Sequence, residues 1–293
     1  MNRPEFHSFS WHEDPEFFEA AVSFTAKETT FSPRLVEKDY FCTVLLEYLA
    51  TVGNTFVFKG GTCLAKIHAD FYRLSEDLDF VVSMPENSSR TERNMRVTVL
   101  KDIVNALTDR IAGFRVVEPL KGANNSTQYN AIIGYDSRIV GKEETIKVEV
   151  GLREPLLLPP ETGIAKTLLL DPTTAKPLCE LLMLTCISKG EAFAEKFRAA
   201  LSRREAAVRD FFDLDYAVRH LGLQPKDAGL IELVKKKMAV PGNDPMDVSE
   251  NRLTMLQRQL ESQLRPVLRA RDFVDFDLER AFRIVKDVAA FIG

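Results

Sequence analysis

The sequence lacks an excess of charge of either sign. Its 293 residues include 39 Lys and Arg against 43 Asp and Glu, which gives a formal net charge of −4 at pH 7. A protein that coats nucleic acid through bulk positive charge needs a basic balance throughout, so the composition excludes this class. A local basic groove on an otherwise acidic protein is still compatible with this composition.

Cysteine and histidine are scarce, with four of each. No CxxC motif and no Cys/His cluster with zinc-ligand spacing is present, so we expect no structural zinc site and no histidine-based metal or general-base site. Long apolar runs are also missing: nothing approaches the roughly 18 residues of a membrane span, and no apolar signal segment opens the sequence. These absences predict a protein of the reducing cytoplasm without a membrane partner.

Apolar periodicity predicts an α+β architecture in two domains. Helical spacing is found at 15–52 and 88–111, and short apolar or alternating runs predict strands at 55–58, 78–82, 114–117, 129–135 and 145–152. Beyond about residue 177 nearly every segment is helical in period. Prolines between 155 and 177 mark the change, so we place a mixed α/β domain at 1–158 and a mainly helical domain at 159–293.

A strand, two glycines and a helix follow one another at 56–66. Lys59 ends the apolar run, Gly60 and Gly61 follow, and Thr62 precedes the helix. Glycines let the backbone approach a ligand closely, and a helix N-terminus offers free N–H groups to an anion, so the turn is a candidate phosphate site. Such turns are also common structural connections, and neither the GxGxxG nor the P-loop spacing is present.

Two acids that follow this turn point to a metal ion. Asp77 and Asp79 are two residues apart, so on a strand both carboxylates face the same side. Paired carboxylates favour Mg²⁺ or Mn²⁺, and Mg²⁺ binds one or two carboxylates together with substrate phosphates. Glu149, on a later alternating strand, is the candidate third acid. The alternative for Glu149 is a solvated strand face on which it pairs with Lys147.

In the helical part, four charged residues recur at seven-residue intervals. They are Lys189, Lys196, Arg203 and Asp210. On one continuous helix they would form a stripe that drifts about 20° per heptad, with Lys196 placed to meet a phosphate and Asp210 to position a cation or a base edge. Two alternatives stay open: a solvated face paired with nearby glutamates, and a helix break near Ser202 that spoils the alignment.

Together these motifs resemble a known family. KGGTCL at 59–64 followed by RLSEDLDF at 73–80 is similar to the AbiEii/MenT group of nucleotidyltransferase toxins from bacterial toxin–antitoxin and phage-defence systems, within the polymerase-β-like nucleotidyltransferase superfamily. Weaker similarity lies in EKDY at 37–40, EK at 195–196 and RDFFDL at 209–214. The wider superfamily places its glycine–hydroxyl pair closer to the acids, whereas fourteen residues separate Thr62 from Asp77 here, a spacing found in the AbiEii-like branch.

The resemblance implies a polymerase-β-like domain followed by a helical domain, and it implies a role for each matching residue. The metal ligands would be Asp77, Asp79 and Glu149. The nucleotide would be bound by Lys59, Gly60, Gly61, Thr62, Arg73 and Lys196. The catalytic set would comprise Asp77, Asp79, Ser75, Lys196 and Asp210.

The implied reaction uses an NTP, with CTP favoured, and Mg²⁺ or Mn²⁺ to add a nucleoside monophosphate to the 3′ end of tRNA. This addition would block aminoacylation and translation, and a cognate antitoxin would be the protein partner. Basic residues at 189–209 and 235–237 are candidate RNA contacts. Two alternatives are nucleotidylylation of a protein hydroxyl and a non-catalytic binding module, the second disfavoured by the retained Asp77 and Asp79.

Overall fold

The computed structural model describes residues 10–293 apart from 52, 54, 86, 87, 154 and 180. The chain divides into two compact units. The first runs to Pro155 and resumes with Glu161–Cys186, and the second comprises Leu156–Pro160 and Ile187–Gly293. This division differs from the predicted boundary after residue 158, because residues 161–186 supply two strands to the sheet of the first unit.

The first unit is built on a mixed sheet, which has seven strands in the described part of the chain. They are β1 (Val57–Lys59), β2 (Leu78–Val81), β3 (Phe114–Ala123), β4 (Gln128–Asp136), β5 (Glu143–Gly151), β6 (Glu161–Ala165) and β7 (Leu182–Cys186). Their order across the sheet is β3-β4-β5-β2-β1-β7-β6. Strands β2 and β5 are parallel, as are β1 and β7, and the other neighbours are antiparallel.

Helices flank this sheet. They are α1 (Pro15–Thr29), α2 (Pro33–Ala50), α3 (Gly60–Cys63), which continues as a π-helical turn (Leu64–His68), and α4 (Arg90–Ala106). Short 3₁₀ turns lie at Trp11–Glu13, Leu107–Asp109 and Asn124–Ser126. Pro33 begins α2 behind an N-cap serine, and a capping box between Ser89 and Glu92 begins α4. Phe41 of α2 stacks on Tyr135 of β4 with ring centroids 4.1 Å apart, which places the core between helix and sheet.

The second unit is helical in its described residues. Its helices are α5 (Lys189–Ser202), α6 (Val208–His220), α7 (Ala228–Met238), α8 (Glu250–Gln257), α9 (Ala270–Asp275) and α10 (Leu278–Ile292), with a π-helical turn at Leu260–Leu264 and a 3₁₀ turn at Arg265–Val267. Helix α10 packs against α5, α6 and α7. No helix in the described part of either unit combines the length and apolar character that a membrane crossing requires.

The predicted α+β architecture is confirmed, with one correction to the elements. The helical period expected beyond residue 177 is wrong for Leu182–Cys186, which forms β7. Periodicity cannot distinguish a short, continuous apolar run in a strand from one in a buried helix. Here the parallel pairing of Phe58 with Cys186 shows that the segment is a strand.

Candidate functional site

A row of polar side chains crosses one face of the sheet. The register places its members on adjacent strands: Lys59 on β1, Asp79 on β2, Glu149 on β5, Asn130 on β4 and Lys121 on β3. Side chains of directly paired residues project from the same face of a sheet. Two of the three candidate metal ligands, Asp79 and Glu149, are therefore neighbours, and a lysine lies at each end of the row.

The glycine turn lies directly against this row. Gly60 has φ +77°, and a Cβ added to it would overlap the Asp79 carboxylate. A Cβ at Gly61 would lie 2.8 Å from Ser75 Oγ and 3.0 Å from Arg73 Nη2. Five residues expected to share a site from the sequence motifs therefore meet within one small region of the first unit.

Thr62 and Arg73 hold the backbone around the turn. The buried Thr62 hydroxyl donates a hydrogen bond to the backbone carbonyl of Asp77, which ties α3 to the entry of β2. Arg73 is also buried, and its Nη1 donates to the carbonyl of Leu74 over 2.9 Å. These bonds fix the turn relative to the acids.

The charges of the three predicted acids, Asp77, Asp79 and Glu149, all raise the pKa of Lys147. Lys147 Nζ lies 2.6 Å from Glu149 Oε2, so the pairing expected for a solvated face is present. Partial burial works to lower the pKa of Lys147, but the Glu149 hydrogen bond and charge and the charges of Asp77 and Asp79 outweigh it and raise the pKa. Asp79 and Glu149, which lie opposite each other on paired strands, carry the hard oxygen donors that Mg²⁺ prefers.

In the second unit, Lys196 bridges two aspartates. Its Nζ lies 2.7 Å from Asp210 Oδ1 and 2.8 Å from Asp213 Oδ2. Arg203 Nη1 lies 3.5 Å from Asp210 Oδ2. Because α5 ends at Ser202 and Asp210 lies on α6, the four heptad-spaced residues do not share one helix. The connection between the two helices nevertheless brings Lys196, Arg203 and Asp210 together.

Sequence reasoning missed Asp213. Its side chain is buried against Lys196, three residues after Asp210 on the same helix. Residues three apart share a helix face, so the spacing of the two aspartates was a signal available in the sequence.

One expected RNA contact is wrong. Lys237 is only 1% exposed, and its Nζ lies 2.6 Å from Glu191 Oε1 and 3.1 Å from Glu195 Oε1. Glu191 also accepts hydrogen bonds from the backbone N–H groups of Leu157 and Leu158. Lys237 is therefore a structural cation inside the second unit, unlike the exposed Lys235 and Lys236.

The EKDY segment, residues 37–40 of α2, contacts the helix that follows the glycine turn. Asp39 Oδ1 lies 2.6 Å from Lys66 Nζ, and Lys66 stands on the π-helical turn that continues α3. Glu37 accepts hydrogen bonds from the backbone N–H groups of Arg138 and Ile139, and burial raises its pKa. The segment joins α2 to the helix of the glycine turn and to the loop after β4.

Comparisons with known proteins identify a family for this chain. The family model of the nucleotidyl transferase AbiEii toxin, type IV toxin–antitoxin system, matches residues 44–285. The crystal structure of JHP933 from Helicobacter pylori shares the fold, with a TM-score of 0.53 and 16% identity over 89% of this chain and 93% of that one. A candidate nucleotidyltransferase from H. pylori aligns with a TM-score of 0.48 and 16% identity over 85% of this chain and 91% of that one.

A comparison with curated proteins finds no match. The family match carries the assignment, because it covers most of the chain and includes the glycine turn and the acids beside it as well as Lys196 and Asp210. The chain belongs to the AbiEii family of nucleotidyltransferase toxins of type IV toxin–antitoxin systems.

Proposed function

We propose that this protein transfers a nucleoside monophosphate, preferentially CMP from CTP, to the 3′-hydroxyl of tRNA. The hydroxyl oxygen attacks the α-phosphorus, the bond to the β-phosphate oxygen breaks, and pyrophosphate leaves while the hydroxyl proton is released. The modified end no longer accepts an amino acid, so translation stops. The observation that carries the proposal is the Gly60–Gly61 turn lying against Asp79 in a row shared with Glu149.

In this proposal Asp77, Asp79 and Glu149 hold Mg²⁺, for which Mn²⁺ can substitute. When bound, such an ion would supply charge neutralisation at the phosphates and would activate the hydroxyl. Lys147, already attracted by all three acids, moderates their mutual repulsion before the ion and the nucleotide bind. Because Lys147 is paired with Glu149, this ion pair would have to open for Glu149 to hold the ion.

The nucleotide phosphates are bound by donors around the glycine turn. Lys59 and Arg73 would supply positive charge, Ser75 would donate its hydroxyl proton, and Thr62, whose own hydroxyl donates to the Asp77 carbonyl, would offer its backbone N–H. Gly60 and Gly61 lack the side chains that would displace Asp79 and Ser75. Phosphoryl transfer depends mainly on such positioning and charge neutralisation.

The resemblance to the AbiEii family also implies catalytic roles for Lys196 and Asp210, which lie in the second unit. Lys196 is 14% exposed in its side chain and is held by Asp210 and Asp213, so its ammonium group is fixed before substrate binds. A fixed cation needs little reorganisation to stabilise phosphate charge. Asp210 positions Lys196 and also contacts Arg203.

An RNA acceptor is supported by a basic cleft in the first unit. A cavity of about 450 Å³ is lined by Arg90, Lys101 and Lys121, together with polar residues of α4 and of the β3–β4 hairpin. Lys121 stands at one end of the polar row, on the edge strand β3, whereas Tyr129, which also lines the cleft, projects from the face of the sheet opposite the acids. Local positive charge of this kind supports contacts to RNA phosphates on an acidic protein.

The test is to incubate the full chain with tRNA, Mg²⁺ and each α-labelled NTP in turn. We expect label on tRNA, strongest with CTP, and none on tRNA whose 3′-terminal ribose has been oxidised with periodate. The exposed cation of the cleft offers a second check: Lys121→Ala should weaken tRNA binding, whereas Lys27→Ala on α1 should not. Label on protein but not on tRNA would refute the proposal in favour of nucleotidylylation of a protein hydroxyl.

A further inference from the structure

Three side chains with affinity for soft metals meet beside the helix of the glycine turn. They are Cys63, His68 and Cys186, and their ligand atoms all lie within 4.8 Å of one another. The expectation that cysteine and histidine form no cluster is therefore wrong. The sequence gave no signal because Cys186 reaches the other two only through the parallel pairing of β7 with β1, which aligns it with Phe58.

The three side chains of the cluster differ in their exposure to solvent. Both thiols are fully buried, whereas His68 is partly exposed. On the β6 side, a Cβ at Gly163 would lie 2.7 Å from Cys186 Sγ and 2.6 Å from Ile67 Cγ2, so the strand packs tightly over the sulfur. His68 is thus the ligand nearest to solvent, and a site with three protein ligands leaves one coordination position open.

The chemistry of these donors differs from that of the acidic row. Thiolate and imidazole groups select Zn²⁺, whereas the carboxylates select Mg²⁺ or Mn²⁺. Tetrahedral zinc with bonds of about 2.0–2.3 Å needs ligand atoms on the order of 3.5 Å apart. The observed cluster satisfies this after a small contraction.

The other two cysteines behave differently. Burial raises the pKa of Cys42 and of Cys179 to about 12, so both are inert thiols. Cys63 and Cys186 instead present sulfur atoms within 4.8 Å of each other and of a His68 ring nitrogen. Because all four thiols are reduced, Cys42 and Cys179 are matched controls for Cys63 and Cys186.

We propose that Cys63, His68 and Cys186 bind Zn²⁺, with the fourth position open to water. The ion would fasten α3 and its π-helical continuation to β7. Since Cys63 follows Thr62 directly, zinc would hold the helix of the glycine turn against β7. The proposal stands independently of the transfer reaction and of its acceptor.

The full chain, freed of metal with a chelator, is titrated with Co²⁺ as a spectroscopic probe and then with Zn²⁺. We expect a thiolate-to-cobalt charge-transfer band that saturates at one equivalent and disappears when Zn²⁺ is added. Cys42→Ser and Cys179→Ser should keep this band, and Cys63→Ser and Cys186→Ser should lose it. A wild-type protein without the band, or with a band that Cys186→Ser retains, would overturn the proposal.

Melting temperature distinguishes loss of the site from loss of the fold. Zn²⁺ should raise the melting temperature of the wild type and of both control variants, because a ligand that binds the folded state stabilises it. If a serine variant does not fold, His68→Gln, altered at the partly exposed ligand, takes its place. This variant should melt like metal-free wild type and bind Co²⁺ at least tenfold more weakly; unchanged Co²⁺ affinity would refute the site.

Discussion

Gly60 is the residue at which the backbone comes closest to the acidic row. It adopts φ +77°, a conformation that glycine reaches without steric cost, and any Cβ there would overlap the Asp79 carboxylate. The position therefore requires glycine for two separate reasons. One concerns the backbone and the stability of the fold, and the other concerns the position of Asp79 and hence the reaction.

Gly60→Ala separates these two reasons when it is compared with Gly141→Ala. Gly141 has a similar φ of +72° but nothing within 4 Å of an added Cβ. Each substitution should cost about 1–2 kcal/mol of stability from the left-handed backbone. Only Gly60→Ala should also slow nucleotidyl transfer, by about a hundredfold, because it displaces a reacting group. Equal activities of the two variants, measured alongside urea unfolding, would contradict this role.

Lys147 tests whether Glu149 is a metal ligand. The ammonium group competes with a cation for Glu149, and its side chain is 40% exposed. Lys147→Met should therefore bind Mn²⁺ about two- to fivefold more tightly in the absence of nucleotide, as expected for an exposed ion pair. Electron paramagnetic resonance of free Mn²⁺ measures this affinity. The exposed Lys142→Met on the preceding turn should leave it unchanged, and the same result for Lys147→Met would remove Glu149 from the site.

At the scale of elements, α2 is unusual because charged side chains lie in its buried part. Every residue from Leu35 to Leu46 is buried, including Glu37, Lys38 and Asp39. Each charge has partners: Asp39, for example, contacts Lys66 and accepts a hydrogen bond from the backbone N–H of Leu168. Buried charges are tolerated only when they are paired and hydrogen-bonded. The helix thereby fixes the direction in which α3 leaves the glycine turn.

Lys66→Met breaks this connection and leaves Asp39 buried without its cation. We expect a loss of about 3–5 kcal/mol of stability in urea unfolding, because an uncompensated buried charge is costly. Lys166→Met removes a comparable but exposed pair with Asp70 and should cost less than about 1 kcal/mol. Similar losses for the two variants would show that the Asp39–Lys66 pair does not anchor the turn.

The elements that could be predicted from the sequence are those encoded locally. Helical spacing predicted the helices within 15–52 and 88–111, and alternation predicted the strand β5, in which Ile146, Val148 and Val150 are buried. Strand β7 was missed because only its pairing with β1 distinguishes it from a buried helix. A helix break near Ser202 was one of the alternatives that the sequence left open. The end of a helix depends on its capping residues and on its packing, so spacing alone could not establish the break.

The same distinction applies to the site. The glycine turn and its acids were predictable because they lie within about twenty residues of one another in the sequence. The ion pair of Lys147 with Glu149 was considered as an alternative, but its attraction to both aspartates depends on the β2–β5 register. The buried state of Lys237 and the meeting of Cys186 with Cys63 arise from long-range packing. Such contacts have no local signature.

At the scale of the whole molecule, the way in which charge is distributed says more about function than the net charge alone. The net charge of −4 excludes bulk binding of nucleic acid, and part of the acid excess is concentrated where a divalent cation fits. Several basic residues that raised the expectation of RNA contacts, such as Lys196 and Lys237, are held in internal ion pairs instead. The exposed basic surface is thus local, as in the cleft lined by Arg90, Lys101 and Lys121.

The central claim is that the acids beside the glycine turn form the nucleotidyl-transfer centre. The most direct test is the single-turnover rate of label transfer from an α-labelled NTP by wild type, Asp79→Asn and the control Asp102→Asn on the exposed face of α4. The account predicts that Asp79→Asn folds normally and loses on the order of a thousandfold in rate, since a catalytic metal contributes several kcal/mol. The control should keep the wild-type rate. Transfer by Asp79→Asn at the wild-type rate would contradict the account.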